Sequence, residues 1–136
     1  MFYDFEVNIP ANTLSTAPVV QKLQIARGII HYAEITFPSG CRGYVYAKIL
    51  FHNKQILPTN QKASFRANGY TIPIREHLKI DEPPYTLTFV GWSDGSTYEH
   101  NITVRVGVLQ ESELEPLFQL PKLFTNFFKL LGVKTK

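Results

Sequence analysis

The sequence predicts an all-β fold: a single two-sheet antiparallel sandwich of about seven or eight strands, followed by a short amphipathic helix. Three observations predict it. Several segments alternate apolar and polar residues, which is typical of strands that bury one face. Nine prolines and eight glycines interrupt these segments at short intervals, and 13% of the residues are aromatic, which suits β-sheets. Short strands separated by turns are typical of a jelly roll or another Greek key.

The first half of the chain predicts four strands, over residues 3–9, 19–25, 29–37 and 45–51. In the third of them, one face would carry Ile29, His31, Ala33, Ile35 and Phe37. The six residues 38–43, PSGCRG, separate the third strand from the fourth. Because two alternating segments joined by a short Pro/Gly turn are typical of a hairpin, we expect these two strands to pair.

The second half predicts shorter strands and a second hairpin. Residues 55–58 are typical of a short edge strand, since proline is mostly confined to edges and strand ends. Residues 70–74 predict another short strand, whereas 75–80 fit a strand or a single helical turn. After the break at 81–84, alternation resumes over 85–92 and 101–108, on either side of a turn whose Asp-Gly pair is a hairpin signal. The last of these strands places four apolar residues on one face: Ile102, Val104, Val106 and Val108.

Residues 1–110 form the predicted sandwich domain, and residues 111–136 a linker and a helix over about 121–131. Apolar residues recur there at the spacing of one helix face. An isolated helix this short is marginal in water, so its apolar face must be covered. The cover could be its own sandwich, another subunit or, less favoured, a membrane surface. We predict a protein interface formed by Leu117, Phe118, Leu120, Leu123, Phe124, Phe127, Phe128 and Leu131.

The formal charge of +3 is divided unevenly along the chain. Residues 1–110 carry ten basic and eight acidic residues, whereas 116–136 carry four lysines and no acid. Without a dense basic face, nucleic-acid binding is not expected. The start of the chain does not have the pattern of a signal peptide, and no apolar run reaches the length of a membrane span. We therefore expect cytoplasmic synthesis, with possible incorporation into a virion.

No pattern predicts a catalytic centre, a cofactor or a metal. The four histidines, His31, His52, His77 and His100, have no metal-ligand spacing with one another or with the single cysteine. Carboxylates that could include a catalytic pair are also explained by solvent-facing strand and turn positions: Glu34, Glu76, Asp94 and Glu99. The charge of Arg42 could lower the pKa of the Cys41 thiol, although a small turn residue is the better interpretation.

A carbohydrate site is the second functional hypothesis. Trp92, Tyr98 and His100 flank the 93–96 turn. Aromatic rings beside polar turn residues can stack on a sugar ring, with Asp94 accepting hydrogen bonds from its hydroxyls. The simpler interpretation packs Trp92 into the core and lays Tyr98 across the hairpin, because aromatic residues dominate cores and interfaces.

Three segments, FEVNIPANT (5–13), ITFPSGCRGYV (35–45) and EHNITVRVGVL (99–109), resemble small β-sandwich structural proteins of viral particles, especially those of tailed phages. The resemblance implies a non-enzymatic building block: a minor capsid, decoration or tail component. Its partners would be other structural subunits of a larger particle, and it would form a homo-oligomer or dock on a neighbour. Sheet edges and the predicted helix would supply the contacts. No functional residue is carried over by this resemblance.

Overall fold

The computed structural model describes residues 1–110, so the predicted helix and its interface residues lie outside the described residues. The described part is an all-β sandwich of two antiparallel sheets. Its nine strands are β1 (Phe2–Ile9), β2 (Val19–Gln24), β3 (Gly28–Phe37), β4 (Tyr46–Phe51), β5 (Lys54–Leu57), β6 (Tyr70–Ile74), β7 (Leu78–Ile80), β8 (Thr86–Trp92) and β9 (His100–Leu109). The segment for which strand and helical turn were both open therefore contains a strand, β7.

The two sheets have the orders β1-β9-β3-β6 and β2-β8-β4-β5. In the first sheet β7 also pairs with β3: β6 lies along residues 33–37 of that strand, and β7 along residues 28–30. The strands β6 and β7 thus share one edge of the sheet. Consecutive strands change sheet at every connection except β4–β5 and β6–β7. Most neighbours within a sheet are therefore distant in sequence.

The core lies between the sheets and is built from the inward positions of both. Phe37 and Phe89 are its largest fully buried side chains. The predicted face of β9 is confirmed, because Ile102, Val104, Val106 and Val108 are all fully buried. Full burial of a valine, leucine, isoleucine or phenylalanine stabilises the fold by about 1.5–3 kcal/mol. Packing of this kind, and not a cross-link, holds the sandwich together, since Cys41 is a free cysteine.

The predicted hairpin between the third and fourth strands is wrong. β3 lies in the five-stranded sheet and β4 in the four-stranded sheet, so the connection between them crosses the sandwich. Cys41 and Val45 within this connection are buried in the core. Residues with positive φ allow its tight path: Gly40 (98°), Arg42 (50°) and Gly43 (76°). The Asp-Gly turn likewise joins strands of different sheets, β8 and β9, and is not a hairpin.

A tight hairpin joins β4 to β5. Phe51 pairs with Lys54, which leaves His52 and Asn53 as a two-residue loop. Both loop residues have positive φ, 50° and 62°, as a type I′ turn requires. β5 ends the four-stranded sheet, which confirms the predicted edge strand.

A register shift between Ile30 and Tyr32, measured against β9, corrects the predicted faces of β3. The inserted residue changes the phase of the alternation. Ile30, not Ile29, is buried with Ala33, Ile35 and Phe37. His31 is half-buried, and its ring meets that of Phe2 edge-on, with centroids 5.9 Å apart. The prediction was therefore wrong at Ile29 and His31.

Candidate functional site

The outer face of the four-stranded sheet is basic and aromatic; we call it the basic face. Its strands contain three lysines, Lys22, Lys48 and Lys54, and no carboxylate. The other outward residues include Val20, which is 59% exposed, and the partly buried Tyr46, Leu50 and Trp92. A sheet face in contact with water usually carries polar residues. The apolar share of this face suits contact with another surface.

Trp92 lies at the centre of a stack of rings and cations on the basic face. Its ring stacks on that of Tyr46, with centroids 5.3 Å apart and planes 12° apart. Lys48 Nζ lies 5.9 Å from the centre of the Trp92 ring, and the Arg66 guanidinium 5.8 Å from that of Tyr46. Such cation–π contacts contribute about 0.5–1 kcal/mol at exposed sites. The interpretation that Trp92 packs into the core was wrong.

The outer face of the other sheet is acidic across β1, β9 and β3; we call it the acidic face. These strands carry three carboxylates, Asp4, Glu6 and Glu34, and one guanidinium, a net charge of −2 with the histidines neutral. Arg105 lies between two of the carboxylates, 3.7 Å from Asp4 and 3.5 Å from Glu34. Phe2, which is 71% exposed, adds an apolar ring at the end of this face. Lys79 of β7, at the far edge of the same sheet, reduces the net charge of its five strands to −1, which is still opposite in sign to that of the basic face.

Glu34 also accepts a hydrogen bond from the Tyr32 hydroxyl, at 2.8 Å. That hydrogen bond, with the charge of the carboxylate, raises the pKa of Tyr32. Glu34 is therefore engaged on two sides, by Tyr32 and by Arg105, on an open sheet face.

A cleft of about 630 Å³ lies at one end of the sandwich, where the β3–β4 and β8–β9 connections meet. We call it the loop-end cleft. Its volume lies within the range of small-molecule sites, roughly 300–1,000 Å³. The lining residues are Ser39, Gly40, Arg42, Tyr44, Gly95, Ser96, Thr97, Tyr98, Glu99 and His100.

Side chains from outside the cleft hold both of its walls. Asn68 Oδ1 accepts hydrogen bonds from the backbone N–H groups of Gly40 (2.9 Å) and Arg42 (3.1 Å). Asn12 Oδ1 accepts one from the N–H of Gly95, at 3.1 Å. Ser93 Oγ donates to the carbonyl of Pro10, at 2.7 Å. The two connections are thereby tied to neighbouring loops, which fixes the shape of the cleft.

His100 lies at the base of the cleft and is 8% exposed. Ser96 Oγ donates to the carbonyl of Tyr98 at 2.9 Å, and His100 Nε2 lies 3.2 Å from the same Oγ. Since a hydroxyl carries one proton, Nε2 must be the donor in the second contact. Nδ1 has no partner among residues 1–110, yet every fully buried side-chain nitrogen or oxygen there has one. Nδ1 is therefore reached by solvent.

Only two of the four residues of the carbohydrate hypothesis lie at the loop-end cleft. Tyr98, which is 75% exposed, and His100 line the cleft, whereas Trp92 and Asp94 are not among its lining residues. Sequence reasoning missed Arg42 and Tyr44, because their segment was expected to turn within one sheet. A signal for them would have been the length of the 38–43 segment, which exceeds that of a tight hairpin loop.

Most of the residues considered for a metal site or a catalytic pair lie apart from one another. Of the four histidines and of Glu34, Glu76, Asp94 and Glu99, only His100 and Glu99 line the loop-end cleft. Burial raises the pKa of the Cys41 thiol, contrary to the lowering that Arg42 could have caused. Within residues 1–110, no three His, Cys, Asp or Glu side chains are placed to hold a metal ion.

No helix in the described part of the chain is long and apolar enough to cross a membrane. A comparison with models of protein families finds no family that matches the chain. A comparison with curated proteins finds none that is significantly similar to it.

Proposed function

We propose that this chain is a non-enzymatic structural protein that assembles with copies of itself and with other subunits of a larger particle. More specifically, we propose that it is a minor capsid, decoration or tail component of a virus or phage. The observation that carries the proposal is the opposite charge of the two outer faces, each of which also exposes apolar side chains.

We infer that the sandwich is a jelly roll. If β6 and β7 are counted as one interrupted edge strand, the two sheets have the orders 1-8-3-6 and 2-7-4-5. Two four-stranded sheets whose connections alternate between them are the arrangement of a jelly roll, a fold used by capsid and lectin domains. This fold supports the resemblance to viral structural proteins, although folds host many functions.

The geometry favours front-to-back association, in which the basic face of one copy packs on the acidic face of the next. Such a contact joins two different surfaces, so it closes into a ring or continues as a filament. Charge complementarity orients the partners and speeds their encounter. Most of the affinity would come from apolar and aromatic residues at the contact: Val20, Tyr46 and Trp92 on one face, and Phe2 on the other. The segment 111–136 would add to this contact or hold a second partner.

Charge reversal tests the front-to-back contact. One variant, Asp4→Lys with Glu6→Lys, makes both faces basic, and a second, Lys22→Glu with Lys48→Glu, makes both acidic. We expect wild-type protein to associate at low ionic strength, and each variant alone to remain monomeric. An equimolar mixture of the two variants should associate again, because basic faces then meet acidic ones. Sedimentation velocity distinguishes these states, and the association should weaken above about 0.5 M salt, where screening is strong.

A matched control changes charge by the same amount away from both sheet faces: Lys62→Glu with Arg42→Glu, of which Arg42 lies at the loop-end cleft. Both positions lie in loops of the described part, and this variant should associate as the wild type does. A wild-type protein that stays monomeric at low salt, or a mixture of variants that fails to associate, would overturn the front-to-back contact.

A further inference from the structure

The loop-end cleft presents hydrogen-bonding groups of both kinds that are not engaged by the protein. The Arg42 guanidinium, a planar fork of donors, has no partner among residues 1–110. Glu99 accepts from Asn8 through Oε2, at 3.3 Å, and its other oxygen has no partner in the described part of the chain. His100 Nδ1 is reached by solvent, and it is an acceptor when the ring is neutral. Ser39, Thr97 and Tyr44, each of which carries a hydroxyl, also line the cleft.

Two tyrosine rings stand at the walls of the cleft, one on each connection. Tyr44, in the β3–β4 connection, is 51% exposed, and Tyr98, in the β8–β9 connection, is 75% exposed. A tyrosine offers a flat apolar face and a polar tip, and it tends to lie where one side is apolar and the other wet. Exposed rings beside a polar cleft favour a ligand with both an apolar and a polar surface.

The cleft is also preorganised. Arg42 has a φ of 50° and its N–H is held by Asn68, while the opposite wall is held by Asn12. A site whose loops are already ordered loses little conformational entropy when a ligand binds. Most of the free energy of the contacts that the cleft makes with a ligand would therefore contribute to binding affinity.

We propose that the loop-end cleft binds a saccharide. A sugar ring carries adjacent hydroxyls that donate and accept, which matches the donors of Arg42 and the acceptors on Glu99 and His100. Its C–H face matches the exposed rings of Tyr44 and Tyr98. The lining contains one cation and one anion, so it has no excess positive charge to favour a phosphate or a nucleic acid. This site is separate from the two sheet faces that carry the proposed assembly.

Saturation-transfer difference NMR tests the proposal, because it reads the sugar protons and tolerates a protein that self-associates. The probes are glucose, galactose, mannose, N-acetylglucosamine and glucuronic acid, together with disaccharides of these units. At least one should give a saturable signal. Tyr98→Ala and Arg42→Asn should each weaken binding about tenfold, as the loss of a charged hydrogen bond or of an aromatic contact does. Asparagine tolerates positive φ, so the second variant removes the guanidinium and keeps the loop.

The matched control is Tyr70→Ala, which removes a tyrosine that is 59% exposed and does not line the cleft. It should leave the signal unchanged, and all three variants should unfold at the wild-type temperature. The proposal fails if no probe gives a saturable signal, or if Tyr98→Ala and Arg42→Asn bind as the wild type does. Inorganic phosphate at the same concentration should not compete. If only glucuronic acid binds and phosphate displaces it, the cleft is an anion site and the saccharide proposal is overturned.

Discussion

Gly91 lies on the inner face of β8, beside the buried ring of Phe89 and the side chain of Ile9. A methyl group at this position would come within 2.6 Å of Phe89 Cε1 and 2.7 Å of Ile9 Cδ1. Both neighbours are fully buried. A glycine is thus required here because the core leaves no room for a Cβ, and not because of its own backbone conformation. The local sequence does not predict this requirement.

We therefore expect Gly91→Ala to lower the free energy of unfolding by about 1–3 kcal/mol, as overpacking of a core does. Thr88→Ala, in the same strand on the solvent side, is the control and should change it by less than about 0.5 kcal/mol. Urea denaturation followed by circular dichroism measures both. Equal stability of Gly91→Ala and wild type would show that the core can yield at this point.

Cys41 is buried in the connection between β3 and β4, and burial raises the pKa of its thiol. In the unfolded chain the thiol ionises near pH 8.5, whereas in the folded protein it stays protonated to higher pH. The unfolded state therefore loses a proton first, and this group's contribution to stability decreases as the pH rises above about 8.5. Below that pH the contribution is constant.

We expect wild type to lose more stability than Cys41→Ala between pH 7 and pH 9.5, when unfolding free energies are measured in urea at both values. Other groups titrate in both proteins, so the difference between the two losses isolates the thiol. If both proteins lose the same stability, Cys41 does not contribute to the pH dependence.

At the scale of elements, the strands were predictable and their partners were not. Alternation is a local property, and β1, β2, β4, β8 and β9 lie close to where it placed them. The same alternation in β3 and β4 is compatible with a hairpin or with a crossing between sheets. The structure distinguishes the two arrangements because the connection between β3 and β4 is itself buried: its residues Cys41 and Val45 lie in the core. The inserted residue in β3 was also unpredictable, because only the register against β9 reveals it.

The loop-end cleft was half predictable for the same reason. Tyr98 and His100 lie beside a turn that the Asp-Gly pair indicates, so the sequence could identify them as candidate binding residues. Arg42 and Tyr44 join them only because two connections that are about 55 residues apart in sequence end at the same end of the sandwich. That proximity is a property of the topology.

The His52-Asn53 loop gives a prediction at this scale. Both residues have positive φ, a conformation that costs a residue with a Cβ roughly 1–2 kcal/mol and glycine nothing. Asn53→Ala should therefore lower the unfolding free energy by about 1 kcal/mol, because alanine lacks the polar side chain that eases this conformation. Asn53→Gly, the matched control, should be neutral or stabilising. Thermal unfolding measures both, and the same change in the two variants would contradict the type I′ turn.

At the scale of the whole molecule, the sandwich and the predicted helix pose separate questions of assembly. The helix is expected from spacing alone, and its apolar residues need a cover. The charge-reversal variants act on the sheet faces and leave this segment intact. Variants in the segment therefore show whether it supplies a second contact.

We expect Phe124→Asp with Phe127→Asp to reduce the size of the assemblies seen by light scattering, since both residues belong to the predicted apolar face. Thr125→Asp with Asn126→Asp introduces the same charge on what would be the opposite side of the predicted helix and should leave the assemblies unchanged. If both variants form smaller assemblies than the wild type, the added negative charge alone explains the change. If the phenylalanine variant instead loses binding to anionic vesicles, the segment meets a membrane surface.

The position of β1 at the edge of its sheet has a consequence for how the chain is made. Its only strand partner among the described residues is β9, and Phe2 lies opposite Gly107. At a synthesis rate of about 5–20 residues per second, a ribosome takes roughly 5–20 seconds to deliver that partner. During this interval β1 has no strand to pair with. Its residues Val7 and Ile9, which are fully buried in the folded protein, then remain uncovered. We therefore expect β1 to be protected by a chaperone or by transient collapse until β9 has emerged.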